Sequence, residues 1–112
     1  MTVLGINVSR LRGVHKVFVR DLQPAQLLHP VRAHGNAAEW VPLGLLLLLI
    51  LELSHAAGSV VLHVFGGFFF LGRLLHAYGV YAKSPLSIAG AAINYLTMLI
   101  MSGWALWFHF VQ

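Results

Sequence analysis

No cysteine occurs in the 112 residues, which excludes disulfides, a thiolate-ligated metal centre and a protein thiol nucleophile. Any thiol chemistry has to arrive with a substrate. Acidic residues number three against seven lysines and arginines, and charged residues of both signs make up only 9% of the chain. A soluble domain of this size carries about 25%, so the balance excludes an ordinary soluble globule. Hydrophobic residues reach 59% and the mean hydropathy is +0.82. The composition is that of a membrane protein, and the length allows one domain. The formal charge of +4 does not indicate nucleic acid. Arg10, Arg12, Lys16 and Arg20 fall in one short segment beside apolar stretches, the pattern of cytoplasmic anchoring at anionic headgroups. His29, His34, His63, His76 and His109 show no metal-ligand spacing on one helix, so no metal is expected.

Three apolar stretches are long enough to span, since crossing takes about 20 residues. They divide the single membrane domain into a basic segment (1–22) and spans over 23–53, 59–81 and 87–111. Met1 to Val8 is mildly apolar but too short to cross, and lacks the basic start and apolar core of a signal peptide. Arg10 to Asp21 shows no long period and reads as a cytoplasmic loop or surface turn. The first span begins between Gln23 and Val31, with Pro30 a kink if it begins early. Pro42 lies inside that span and frees the carbonyl of Ala38. The basic segment and the Lys83 turn share one side of a three-span chain, and the uncharged Ser54–Gly58 connector takes the other. The basic side is therefore expected to be cytoplasmic.

One stretch, Val31 to Leu53, carries the polar signal: VRAHGNAAEWVPLGLLLLLILEL. At about 100° per residue, Arg32, Asn36 and Glu39 fall within one narrow sector of a helix. Leu43 and Leu46 continue that face with apolar side chains, so the polar stripe stops where lipid begins. An arginine suits a carboxylate bidentately, a glutamate suits an ammonium, and an asparagine offers donor and acceptor. The alternative is that Arg32 and Glu39 pair with each other or extend to the interface. Arg73 and His76, one turn apart in the second span, could polarise a substrate or thiolate, or Arg73 could form an interhelical pair with Glu39 or Asp21. His34 points to another face and reads as a packing or headgroup residue. Glu52 reads as a far-side cap, paired with His55 or His63. Tyr78 and Tyr81 read as interfacial anchors, and Asn94 and Tyr95 as interhelical bonding residues.

The run RAHGNAAEWVP before a leucine block, followed one span later by GRLLHAYG, resembles the MAPEG family, the membrane-associated proteins of eicosanoid and glutathione metabolism, in its bacterial inner-membrane branch. The resemblance covers roughly residues 8 to 110. It implies an all-α bundle of four helices per subunit in a homotrimer, with glutathione held between neighbouring subunits near the cytoplasmic side. The activities it implies are glutathione transfer, peroxide reduction and isomerisation of lipid mediators. Carried over by position, Arg32, Asn36 and Glu39 are glutathione contacts with Trp40 beside them, and His76 lines the same site. Arg73 matches a recurring arginine, and Arg10 or Arg12 would reach a neighbouring subunit's ligand.

Three departures accompany the resemblance. Only the tail of the family's opening helix, Met1 to Ser9, is expected here. Trp40 stands where several branches have tyrosine. Ser87 stands where active members place the arginine credited with stabilising the glutathione thiolate.

The leading expectation is thus a glutathione-binding membrane protein, a transferase or peroxidase acting on lipophilic electrophiles or hydroperoxides that enter from the bilayer. Arg32, Asn36, Glu39, Trp40 and Arg12 would bind, Arg73 and His76 would polarise thiol or substrate, and Tyr78 would be a further donor. The alternative is a catalytically silent protein of the same fold binding a thiol or a lipid. A pore is disfavoured by the dry wall of Leu43 to Leu51.

Overall fold

A computed structural model describes residues 1–16 and 25–111, with four α-helices: α1 (Thr2–His15), α2 (Ala25–Leu53), α3 (Ser59–Ala82) and α4 (Leu86–Val111). The described residues contain no strand. α2, α3 and α4 are long and apolar enough to cross a membrane, over Leu27–Leu53, Ser59–Ala82 and Leu86–Val111. At 1.5 Å per residue, α1 is about 21 Å long, short of a hydrocarbon core of about 30 Å. The chain is therefore an all-α, multi-pass membrane protein with a short fourth helix docked at one end.

That fourth helix corrects two expectations. Arg10 to Asp21 is not a loop throughout, because the helical segment runs to His15 and takes in Arg10 and Arg12. The opening helix likewise extends past Ser9. Its sequence hid it: Gly5, Gly13, Asn7 and Ser9 are weak helix formers, and no apolar stripe advertises a buried face. Tertiary contacts supply what propensity lacks. Val8 is buried, the Asn7 amide donates to the Tyr81 hydroxyl at 3.0 Å, and Gly5 lies under the His34 ring. Arg20, Asp21 and Pro24 lie outside the described residues.

Helix ends are closed by backbone bonds. Lys16, His55 and Lys83 adopt left-handed conformations (φ 50°, 54° and 53°). After α2, Ala56 N–H donates to Leu51 C=O at 3.1 Å and His55 N–H to Glu52 C=O at 3.0 Å. After α3, Ser84 N–H donates to Gly79 C=O at 2.9 Å. These reverse-turn caps satisfy carbonyls that a membrane interior leaves without water. The Trp104 indole N–H donates to Ala56 C=O at 2.9 Å, fastening α4 to the far connector. Both Pro30 and Pro42 lie within α2.

The tightest packing joins α3 to α4. A Cβ built on Gly72 would stand 2.8 Å from Asn94 Oδ1 and 3.1 Å from the Gly90 carbonyl oxygen. One built on Gly90 would stand 2.6 Å from the Gly72 carbonyl oxygen, and one on Gly79 would strike the backbone of Ser87. Backbone therefore meets backbone, as small residues allow between helices in lipid. The buried side of α4 is a single stripe of Gly90, Asn94, Thr97 and Met101, each one turn from the next. Elsewhere α2 meets α3 through Gly44, whose missing side chain makes room for the buried ring of Phe69.

This packing predicts opposite outcomes for two glycines of similar helical position. Gly90→Ala should destabilise the bundle by about 3 kcal/mol, at the upper end for overpacking because the opposing atoms are backbone. Gly67→Ala, with nothing within 4 Å of the new Cβ, should be neutral or stabilising by up to about 1 kcal/mol from helix propensity alone. Detergent-denaturation midpoints for the two variants check this.

Candidate functional site

α2 presents three of the sequence-derived residues along one flank. Arg32 and Glu39 are exposed and Asn36 is half-buried. Relative to Asn36, helical geometry puts Arg32 and Glu39 on one side by about 40° and 60°, and Trp40 on the other by about 40°. The exposed flank continues through Leu43 and Leu46, 52% and 53% exposed. Asn36 is thus the boundary between an outward charged surface and the interior of the bundle. Arg32 and Glu39 make no ion pair among the described residues.

On the inward side, Asn36 Oδ1 accepts a 2.8 Å bond from Arg73 Nη2. The interhelical partner of Arg73 is therefore an amide on α2, not the carboxylate of Glu39; Asp21 lies outside the described residues. One turn along α3, His76 Nδ1 bonds the carbonyl oxygen of Ser87 at 2.8 Å. A carbonyl only accepts, so Nδ1 carries a proton in this bond. Asn36, Trp40, Arg73, His76, Ala91, Asn94 and Tyr95 line one cleft of about 20 Å³. Its apolar wall is made by Trp40 and Tyr95, packed edge to face with ring centroids 4.5 Å apart.

Asn94 is only 2% exposed, and neither of its amide atoms has a partner; Arg73 Nε is also buried and unpartnered. Each such atom costs about 1–3 kcal/mol, which marks the cleft as a polar place kept within apolar surroundings. The sequence reading left Asn94 and Tyr95 as interhelical bonding residues. Their signal was available: Asn94 lies one turn after Gly90 and is the one amide in the last span.

Other candidates fall elsewhere. Tyr78 is 62% exposed and does not line the cleft. Tyr81 ties α3 to α1 through Asn7. Arg12 is half-buried in the last turn of α1, and Arg10 donates to Asn7 Oδ1 at 3.2 Å. His34 packs over Gly5, as its off-face position suggested. The Ser87 hydroxyl donates to Ser84 C=O at 3.1 Å, so position 87 contributes its backbone rather than a cation. At the far end, Glu52 and His63 share a surface groove with Gly66 and Gly67, and His63 Nδ1 donates to Ser59 C=O at 2.6 Å.

The chain has relatives that can be named. The inner membrane protein YecN of Escherichia coli (strain K12) is 31% identical over 103 residues, spanning 91% of this chain and 78% of that protein. The YecN protein of Escherichia coli O6:H1 (strain CFT073) matches to the same extent. No solved structure matches at a significant level. The signature of the MAPEG family matches residues 1–107. Together with the three apolar spans and the short docked helix, that match over nearly the whole length means that the chain belongs to the MAPEG family.

Proposed function

We propose that this chain binds glutathione on the charged flank of α2 and presents it to lipophilic electrophiles or hydroperoxides in the bilayer. The observation that carries the reading is the adjacency of two features. Arg32 and Glu39 stand exposed on α2, and Asn36, between them in sequence, opens into the cleft with Arg73 and His76. The tripeptide's carboxylates match Arg32 and its ammonium matches Glu39 by charge and geometry. Its amides match Asn36.

An exposed charged pair at the edge of an apolar face calls for cover from another surface. In this reading the cover is a neighbouring subunit of a homotrimer, with Arg12 supplying a further cation to the neighbour's ligand. The bundle end carrying α1, Arg10, Arg12 and Lys83 faces the cytoplasm, on the side where basic residues accumulate. An inner-membrane location follows from likeness to YecN, which carries that name. Apolar co-substrates reach the site laterally, past Leu43 and Leu46. The second reading is a silent thiol or lipid binder of the same fold. It is favoured by Ser87, which offers a carbonyl to His76 where a cation is expected.

Calorimetric titration of glutathione into the detergent-solubilised protein tests the reading. Arg32→Ala should weaken binding about 10- to 100-fold, the range expected from losing a charge-assisted hydrogen bond of about 1.5–3 kcal/mol. Glu39→Gln should weaken it in the same direction. His34→Ala, on the α1 side of the helix, should leave affinity within about 3-fold, a difference below 1 kcal/mol. Equal affinity in wild type and Arg32→Ala contradicts the site assignment.

A further inference from the structure

The end of the bundle that carries α1 holds a polar cluster that the proposed function leaves unused. Arg10 donates to Asn7 Oδ1 at 3.2 Å, and Asn7 Nδ2 donates to the Tyr81 hydroxyl at 3.0 Å. Arginine only donates, so it fixes which way the amide faces, and the amide makes the Tyr81 oxygen an acceptor. The tyrosine O–H is then left to donate elsewhere, as are the remaining guanidinium N–H groups. Lys83, exposed two residues after Tyr81 in a left-handed cap, brings a second cation to the same corner. The described carboxylates do not balance these donors. Glu52 closes the opposite end of α2, and Glu39 lies about 140° around α2 from His34, the residue that faces α1. Arg32 lies about 160° around α2 from His34, so the cluster is also apart from the charged flank. A corner with many donors and no described carboxylate calls for an anion.

Depth narrows which anion. The span of α3 ends at Ala82 and that of α2 begins at Leu27, so Tyr81 stands at the membrane edge and His34 about 10 Å inside it. Gly5 lies under His34 and Asn7 bonds Tyr81, so α1 runs outward from its first turn to its last. Val3, Ile6, Asn7 and Arg10 fall within about 100° of one another around α1. Val3, Ile6 and Arg10 are exposed. From the membrane outward, that face therefore reads apolar, apolar, amide, guanidinium. A soluble anion has no use for the apolar part, whereas a phospholipid matches both.

We propose that Arg10, Tyr81 and Lys83 bind the phosphate of an anionic phospholipid in the leaflet at this end of the bundle, with one acyl chain lying over Val3 and Ile6. The guanidinium suits two phosphate oxygens at once, the Tyr81 O–H donates a further bond, and Lys83 adds a point charge. Asn7 is a positioning residue: it holds Arg10 and Tyr81 side by side and leaves both as donors. The bound lipid joins α1 to α3 at the membrane edge, in addition to the Asn7–Tyr81 bond. None of this depends on the glutathione reading.

Native mass spectrometry of the solubilised full chain tests this, with phosphatidylglycerol and phosphatidylcholine titrated separately. Phosphatidylcholine brings a cationic choline to a corner rich in donors, so wild type should prefer phosphatidylglycerol by about 10-fold or more. Arg10→Gln and Lys83→Gln should each cut that preference by about 5-fold, the effect of one basic side chain beside anionic headgroups. Lys83 lies outside the helices, so its variant tests the site even if Arg10→Gln loosens α1. Tyr81→Phe should cut the preference by about 3-fold with no change of charge, which general attraction to a basic surface would not do. Lys16→Gln removes the same charge from the exposed end of α1, about 180° around the helix from Asn7. It should alter the preference by less than about 2-fold. Equal binding of the two lipids by wild type, or a loss in Lys16→Gln as large as in Arg10→Gln, overturns the proposal in favour of general surface charge. Displacement of phosphatidylglycerol by inorganic phosphate at equal concentration overturns it in favour of a soluble anion. Weakening of glutathione binding by Arg10→Gln to the extent seen in Arg32→Ala overturns it by assigning Arg10 to the charged flank.

Discussion

The contact on which the rest depends is the direct meeting of backbones between Ser59–Ala82 and Leu86–Val111 at Gly72, Gly79 and Gly90. In lipid no hydrophobic force draws helices together, so close packing and interhelical hydrogen bonds must do it. Removing three side chains lets the second and third spans approach until a methyl group no longer fits. This approach seats Asn94 against Gly72 and brings the Ser87 carbonyl to His76. A polar cleft inside a membrane bundle is thus the product of glycine positions that themselves carry no chemistry.

The 29-residue helix Ala25–Leu53 joins that cleft to the surface. At about 1.5 Å per residue it is longer than a hydrocarbon core of about 30 Å, and its polar third can lie at the membrane edge while its leucines remain within. Asn36 is the residue that links the two: it accepts the bond from Arg73 and stands between the outward charges and the interior. Arg73 therefore serves as an interhelical fastener through Nη2, while its Nε is buried without a partner. The terminal helix Thr2–His15 completes the same end of the bundle through Asn7, Gly5 and Val8.

Much of this was legible in residue order. The spacing of Arg32, Asn36 and Glu39 is a helical face, and the leucine run gives its depth. The pairing of Arg73 with His76 at one turn's separation put both on one side of the next span, where the cleft holds them. What stayed hidden depended on contacts between distant segments. The partner of Arg73 is an amide rather than Glu39, because Glu39 sits on the outward side of its helix while Asn36 turns inward. Asn94 gained its importance from Gly72, a residue 22 positions away, whose missing side chain accommodates it. The first helix escaped notice because its residues are individually poor helix formers, and its stability comes from Tyr81 and His34, far along the chain. Tyr78 was a reasonable donor by residue type, yet two positions beyond His76 a helix points to another face, and the side chain is exposed there.

The central claim is that the charged flank and the buried cleft form one site, bridged by Asn36. The chain has three asparagines, Asn7, Asn36 and Asn94, and selective isotope labelling of their side-chain amides gives three resonances to follow by nuclear magnetic resonance as glutathione is added. The account predicts that the Asn36 and Asn94 amides shift together along one binding curve while that of Asn7, bonded to Tyr81, stays still. A shift of Asn36 alone, with Asn94 unmoved at saturation, would contradict it.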